Sequence, residues 1–158
     1  GLPPADDNAK DWPLFKPLLA NANLQAQPLD IAFARDAFRD LLAIRAGTTL
    51  LRMRTADDIN QRLRFFNTGP RQEPTVVAAT IDGKGYAGAR FTGLTYLINV
   101  DKVAHVVSDA GLRGKQLRLH PVHTAAGAGD KRAATAGYDS ASGTFSIPPR
   151  TAVVFVEE

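Results

Sequence analysis

The sequence predicts an α+β protein in which helices come first and an antiparallel β-sandwich follows. Apolar residues recur at helical spacing in Asp30–Arg45, whereas short β-branched segments separated by Gly, Pro, Asn and Asp turns dominate from residue 67 onwards. Short strands with such turns are typical of sandwiches and open barrels. A third observation is Thr151–Val156, which is apolar on both faces and so predicts a central strand covered on both sides.

The helical half opens with a segment of little pattern. Residues 1–29 contain five prolines, and we expect an irregular stretch with at most a short helical turn at Leu14–Leu19. Trp12 lies in this stretch and needs a cover, because an exposed tryptophan leaves a large apolar area in water.

Two helices follow. Asp30–Arg45 is the best helix, with Asp30 as its N-cap and Gly47 as its C-terminal stop. A second helix, Ala56–Leu63, begins after Thr55 in a pattern that resembles a capping box.

The β half follows a boundary near residue 66, which divides the chain into residues 1–66 and residues 67–158. Asp139–Gly143 has the composition of a turn, Pro148–Pro149 mark a corner between two strands, and Thr124–Gly137 reads as a long loop. The predicted strands are Thr75–Ile81, Leu94–Val100, Ala104–Val107, Lys115–His120, Thr144–Ile147 and Thr151–Val156.

No catalytic, metal or cofactor site is indicated by the motifs. His120 and His123 are three residues apart, and on an extended chain such positions point to opposite faces, which favours ordinary strand-end histidines over metal ligands. The serines lack a nucleophile-elbow pattern, the adjacent acidic pairs do not face each other across a substrate, and the glycine pairs lack P-loop spacing.

Charge and hydropathy do not favour nucleic acid or a membrane as a partner. The net charge is only +3, and Phe38, Phe65 and Phe66, which lie among the densest arginines, fit helix core positions better than a base-stacking surface. No apolar run approaches the roughly 20 residues that cross a bilayer. The absence of cysteine leaves the compartment undetermined.

Three collinear parts of the chain resemble one family, the pullulanase-type α-1,6-glucosidases, which are starch-debranching members of the α-amylase superfamily. The opening resembles the loop after the last strands of their catalytic barrel, the middle resembles the last barrel helix and the link leaving it, and the end resembles their C-terminal β-sandwich. The matching segments are Gly1–Ala5 with Asn8, Asp11–Leu14, Lys16–Ala20, Ala37–Arg45, Leu51–Ala56, Arg64–Pro70, Leu119–Val122, Tyr138–Asp139, Ser142–Phe145 and Ile147–Val156.

The resemblance implies a non-catalytic tail that supports the barrel of a larger enzyme. None of the family's three catalytic carboxylates maps onto this sequence, so the parent, and not this part, would hydrolyse α-1,6 linkages in branched α-glucans. Asp6, Asn8 and Trp12 would lie near the parent's substrate groove, although Trp12 is equally interpreted as a packing anchor. The implied partners are the catalytic barrel and, through the parent, α-glucan.

Two other classes of function stay open at this point. The β domain is interpreted alternatively as a carbohydrate-binding module, which needs Tyr86, Tyr96 and Tyr138 on one exposed platform. An unrelated protein-interaction domain predicts instead a helix 30–45 with no bare apolar surface. The debranching-enzyme hypothesis expects Phe33, Phe38 and Leu42 to be uncovered, or covered by self-association through helix 30–45.

Overall fold

The structure is a computed structural model that describes all residues, 1–158. The chain divides into two compact units, Gly1–Arg35 and Asp36–Glu158. The helices are α1 (Ala5–Asn8), α2 (Trp12–Ala20), α3 (Pro28–Ala46), α4 (Ala56–Arg62) and α5 (Pro121–Thr124). The strands are β1 (Leu63–Phe66), β2 (Val76–Asp82), β3 (Gly93–Asn99), β4 (His105–Ser108), β5 (Arg118–Leu119), β6 (Gly137–Asp139), β7 (Thr144–Ile147) and β8 (Thr151–Glu157).

The first unit is helical, so the prediction of an irregular N-terminus was wrong except for the helical turn expected at Leu14–Leu19, which lies within α2. Helix α1, a 3₁₀ turn at Ala9–Asp11 and helix α2 follow one another directly. Pro13 is the second residue of α2, where the missing N–H has no intrahelical partner to lose, and Pro17 removes only one bond from the interior. The prolines therefore limit the length of these helices and do not abolish them.

Helix α3 begins two residues earlier than predicted, and its N-terminal contact is different. Asp30 is not the N-cap but the third helical residue, and its Oδ2 accepts the backbone N–H of Gln27 at 2.8 Å. A carboxylate at this position serves the helix by reaching back to an N–H that has no intrahelical acceptor. At the other end Gly47 follows the last helical residue, as predicted.

The capping prediction for α4 is confirmed. Thr55 Oγ1 accepts the backbone N–H of Asp58 at 3.1 Å and donates to its carboxylate at 2.7 Å. The chain then turns directly into β1, which corrects the prediction that Phe65 and Phe66 occupy helix core positions. Phe66 is buried between the sheets, whereas Phe65 on the opposite face of β1 is 51% exposed.

Two antiparallel sheets form the β-sandwich. The five-stranded sheet has the order β1-β2-β3-β8-β5, and the three-stranded sheet has the order β4-β7-β6. Strand β8 pairs with β3 on one side and β5 on the other, which confirms that Thr151–Val156 is central. Pro148 and Pro149 lie between β7 and β8, where the chain passes from one sheet to the other, as the corner prediction requires.

The alternation of β8 creates two separate cores. Val153 and Phe155 belong to an inner core between the sheets, together with Phe145 and Ile147 of β7. The other face of the five-stranded sheet carries an outer core, whose members are Ile44, Leu50, Ile81, Ala89, Phe91, Leu94, Val154 and Val156. Helix α3 and the residues after it thus form a third layer over the larger sheet.

The segment between β4 and β6 is the part of the β half that was predicted least well. The expected strand Lys115–His120 is only two residues long, and the expected loop after it contains α5 and a 3₁₀ turn at Ala133–Thr135. Beyond β5 the pairing along β8 continues through one backbone hydrogen bond and one side-chain hydrogen bond. The backbone N–H of Val154 donates to His123 Nε2 at 3.1 Å, and the N–H of His120 donates to the Val154 carbonyl at 2.8 Å.

Candidate functional site

From Asp36 onwards, helix α3 turns most of its large apolar residues away from the β-sandwich. Within this 19-residue helix only Ile44 is buried. The residues whose spacing predicts an apolar face in this part of the helix stay largely in water, since Phe38 is 61% exposed and Leu42 is 45% exposed. Full burial of a side chain of this size contributes roughly 1.5–3 kcal/mol of stability. The exposed side chains of this face do not gain that free energy within this chain.

A polar contact and a close approach determine which side of α3 faces the β domain. The Asp40 carboxylate accepts the backbone N–H of Gly129 at 2.6 Å. A Cβ on Gly129 would lie 2.6 Å from the carbonyl carbon of Asp36 and 2.7 Å from the nitrogen of Ala37, so only glycine allows this approach. Ala37, Asp40 and Ile44 therefore face inwards, and Phe38 faces outwards.

The outer face of the five-stranded sheet is exposed to solvent where α3 does not cover it. The register places Val77 opposite Ile98, and Ile98 opposite Ala152, on the outer face. Val77 is 46% exposed, Ile98 is 37% exposed and Val100, which follows β3, is 67% exposed. Leu41 of α3 and Ala152 line the same small cavity, so the bare part of the sheet adjoins the helix.

We name this region the outer apolar surface. It consists of residues of the second unit that lie on the exposed side of α3 or on the uncovered outer face of the five-stranded sheet. Its members are Phe38, Leu41, Leu42, Phe65, Val77, Ile98 and Val100.

An open groove of about 440 Å³ lies at the C-terminal end of α3. We name it the apolar groove; its wall consists of Leu50, Leu51, Met53, Ile59, Leu63, Ile81 and Tyr96, and Arg45 and Arg52 stand at its rim. The two arginines differ in their contacts. Arg52 donates to the carbonyls of Thr48 and Ala46 at 3.3 Å each, whereas the exposed side chain of Arg45 makes no hydrogen bond or ion pair. Burial in the wall raises the pKa of Tyr96.

The first unit contains the three residues predicted to approach substrate. Asp6 and Asn8 lie on α1, and Trp12 is the first residue of α2. The Trp12 indole N–H donates to the carbonyl of Pro3 at 3.0 Å, and the Asn8 amide donates to the carbonyl of Pro4 at 3.1 Å. Asp6 is exposed. Asn8 and Trp12 thus hold the backbone before α1, and Asp6 presents its carboxylate to solvent.

His120 and His123 are not on an extended strand, contrary to the prediction, because His120 caps α5 and His123 lies within it. Both rings are buried, each 4% exposed. Burial, assisted by the charges of His123, Arg90 and Arg118, lowers the pKa of His120 to about 4. Burial also lowers the pKa of His123, against the opposing charges of Asp40 and Asp130. No group of three or more metal-binding side chains occurs in the chain.

Comparison with known proteins gives the family. The whole chain, residues 1–158, matches the family described as alpha-1,6-glucosidases, pullulanase-type, C-terminal. The chain belongs to this family. It is 33% identical over 165 aligned positions to pullulanase 1, chloroplastic, from Arabidopsis thaliana, an alignment that covers 99% of the chain and 17% of that protein.

Solved pullulanases have the same fold as this C-terminal region. The maltotriose complex of PulA from Klebsiella pneumoniae superposes with a TM-score of 0.80 at 22% identity, covering 100% of the chain and 17% of that protein. Apo pullulanase from Klebsiella pneumoniae gives a TM-score of 0.79 at 22% identity, with 99% and 17% coverage. The pullulanase-type region therefore spans about one sixth of the length of these relatives.

The tyrosines of the pullulanase-type region do not form the platform that a carbohydrate-binding module needs. Tyr138 packs on the inner core and donates its hydroxyl hydrogen to the Leu112 carbonyl at 2.5 Å. Tyr86 and Tyr96 pack on the outer core, on the other side of the larger sheet, and Tyr86 lies under the guanidinium of Arg62 at 4.9 Å. The three rings therefore cannot share one flat surface. None of the helices has the length and hydrophobicity that a membrane-spanning segment requires.

Proposed function

We propose that this chain is the non-catalytic closing region of a longer pullulanase-type enzyme, and that it stabilises the catalytic barrel of that enzyme. In this proposal residues 1–66 belong with the end of the barrel and its link, except that β1 at their end is the edge strand of the sandwich, and residues 67–158 form the rest of the supporting sandwich. The parent hydrolyses α-1,6 linkages in branched α-glucans with a pair of carboxylates that lie upstream of this region.

The outer apolar surface is the observation that carries the proposal. Phe38 and Leu42 stand on the exposed side of a helix that Asp40 and Gly129 hold in place, so the helix cannot turn these side chains inwards. An apolar surface of this kind on an otherwise well-packed protein marks an interaction site. Because the relatives are about six times as long as the matched region, the barrel is the most direct cover for it.

The test compares serine variants in the full-length enzyme. Phe38→Ser and Leu42→Ser should each lower the Tm of the full-length protein by several degrees, because burial of a large side chain contributes roughly 1.5–3 kcal/mol. Val106→Ser is the matched control, since Val106 is 65% exposed on the smaller sheet and should leave Tm within about one degree. Equal Tm values for Phe38→Ser and Val106→Ser would contradict barrel docking.

The isolated chain provides a second test of the same proposal. It should release no reducing sugar from pullulan, because the catalytic carboxylates are assigned to the upstream part of the parent. A turnover that survives purification to homogeneity would contradict the non-catalytic assignment. A light-scattering mass twice that of the monomer, abolished by Phe38→Ser, would show that self-association through α3 replaces the barrel when the barrel is missing.

Asp6, Asn8 and Trp12 are proposed to lie beside the substrate groove of the parent. The contacts of the first unit support a division of roles, because Asn8 and Trp12 bind the Pro3–Pro4 backbone while Asp6 is exposed. In the full-length enzyme Asp6→Asn should raise KM for pullulan. Trp12→Phe should mainly lower the Tm of the enzyme. An unchanged KM in Asp6→Asn would remove Asp6 from the glucan contacts.

A further inference from the structure

The apolar groove has a composition that selects its occupant. Its wall contains seven apolar or aromatic residues, of which Ile59 is 38% exposed, while Leu51, Met53 and Leu63 are half-buried. A volume of about 440 Å³ is enough for one or two large side chains but not for a folded element. Concave sites that are mostly apolar, with a few placed polar groups, are typical binding sites.

Arg45 adds charge selectivity to this groove. Its side chain is exposed, lines the groove and makes no hydrogen bond or ion pair, whereas Arg52, which also lines the groove, donates to the Thr48 and Ala46 carbonyls. A guanidinium without a partner beside an apolar wall favours a carboxylate next to an apolar side chain, because the two charges then pair in a partly dehydrated place. A basic neighbour would be repelled there.

The groove lies beyond the C-terminal end of the α3 side of the outer apolar surface. Phe38 lies about two helical turns and Leu42 about one turn before Arg45, and the groove wall comes from the segment after the helix together with α4, β1, β2 and β3. A partner that covers only Phe38 and Leu42 would therefore leave Met53 and Ile59 in water.

We propose that the apolar groove receives a segment of the upstream part of the parent chain in which a large apolar side chain stands within two positions of an Asp or Glu. The apolar side chain packs on Met53, Ile59 and Tyr96, and the carboxylate binds Arg45. This inference rests on the proposed function, because it takes its occupant from the longer chain. It adds a second docking point and specifies the chemistry of the segment that fills it.

The experiment is site-specific photo-crosslinking in the full-length enzyme. p-Benzoyl-phenylalanine is placed at position 53, in the groove, and in separate proteins at position 38 and at position 106. After irradiation the cross-linked peptides are identified by mass spectrometry. Position 53 should cross-link within the same molecule to a peptide upstream of Gly1 that contains an apolar residue within two positions of Asp or Glu. Position 106 on the smaller sheet should give no such product.

Charge reversal sharpens the test. Arg45→Glu should reduce the yield of the position 53 cross-link at least several-fold, whereas Arg54→Glu should not change it, because Arg54 is exposed and lies outside the groove. Both variants reverse an arginine in the same part of the chain, so a general charge effect would appear in both.

Each other outcome overturns the inference. A cross-link only to the chain's own residues after Gly1, a link between two copies, an upstream peptide without an acidic residue, or insensitivity to Arg45→Glu would each do so. Position 38 reports separately on the proposed function. If position 38 links to the upstream chain and position 53 does not, docking through α3 stands and the groove assignment falls; if neither links, both fall.

Discussion

The two faces of the five-stranded sheet are covered in different ways. On the inner face Leu97 and Val153 are fully buried, because Phe145 and Ile147 of the second sheet pack over them. On the outer face Leu94 and Val156 are buried under Ile44 of α3 and the segment after the helix, but Val77 and Ile98 on the same face remain exposed. The inner core is complete within this chain, whereas the outer layer leaves surface for a partner.

The largest expected effect comes from opening the inner core. Phe145→Ala should lower the free energy of unfolding of the isolated chain by about 3–5 kcal/mol, because it removes a ring that is 0% exposed and contacts Phe155 and Tyr138. Urea denaturation followed by circular dichroism measures the change. Val106→Ala on the outside of the same sheet should cost less than about 0.5 kcal/mol. If Phe145→Ala and Val106→Ala lowered the free energy of unfolding equally, burial in the inner core would not account for the loss.

A somewhat smaller loss in the free energy of unfolding is expected when Asn99, whose side chain joins the two sheets, is replaced. The buried Asn99 amide donates to the carbonyls of Val103, Ile147 and Pro148 at 2.8, 3.3 and 3.0 Å. Asn99→Ala should cost roughly 2–3 kcal/mol, since buried carbonyls lose their donor. Asn99→Asp keeps the shape but replaces the donor with an acceptor, so it should be at least as destabilising as Asn99→Ala. A fully stable Asn99→Asp would rule out this role.

A pH dependence should arise on the outer side of the sheet. The His120 ring packs edge-on against Phe91 of the outer core at 5.5 Å, and burial lowers its pKa to about 4 from an ordinary value near 6.5. The unfolded chain therefore binds more protons between these two values, and stability should fall as pH drops from about 6.5 towards 4. The low pKa of His123 acts in the same direction.

Thermal melts from pH 4 to pH 7 provide the measurement. His120→Asn retains a side-chain acceptor for the Val122 N–H but cannot be protonated in this range, so Tm should vary less with pH in this variant. If the Tm of His120→Asn varied with pH as strongly as the Tm of the unsubstituted chain, the pH dependence would have another origin.

The smallest effect on the free energy of unfolding is expected for a substitution on the exposed side of α3. In the isolated chain Phe38→Ser should change the free energy of unfolding by less than about 0.5 kcal/mol, because the ring is already 61% exposed. The same substitution in the full-length enzyme should be costly if the barrel covers this face. A large loss in the isolated chain would mean that Phe38 packs within it, and would weaken the distinction between a complete inner core and an incomplete outer layer.

The sequence predicted the β half better than the helices, for physical reasons. A period of two residues shows directly which side chains share a face, so β2, β3, β7 and β8 were placed to within a residue or two. Helical periodicity located α3 but not the direction of its apolar face. The residues with the clearest spacing are the exposed ones, and the contacts to the β domain come from Ala37, Asp40 and Ile44.

Other features depend on contacts between distant residues. In the sequence Gly129 looks like an ordinary loop glycine. Position 129 requires glycine because it packs against the backbone of Asp36, which is 93 positions away in the sequence. His123 completes the hydrogen bonding of Val154 across 31 positions. The apolar groove combines the segment after α3 with α4 and three strands, so no local motif could have indicated it. The exposure of Phe38 and Leu42 was expected, because the family resemblance implies a catalytic barrel that would cover them.

The position of β8 has a consequence for biosynthesis. Its partners β3 and β5 precede it in the sequence by tens of residues, and it lies between them in the sheet. While a ribosome is still translating residues 151–157, both partners carry open hydrogen-bonding edges, which are prone to pair with strands of other nascent chains. We therefore expect slow or interrupted translation of this segment to lower the yield of soluble protein, whereas a holding chaperone should restore it.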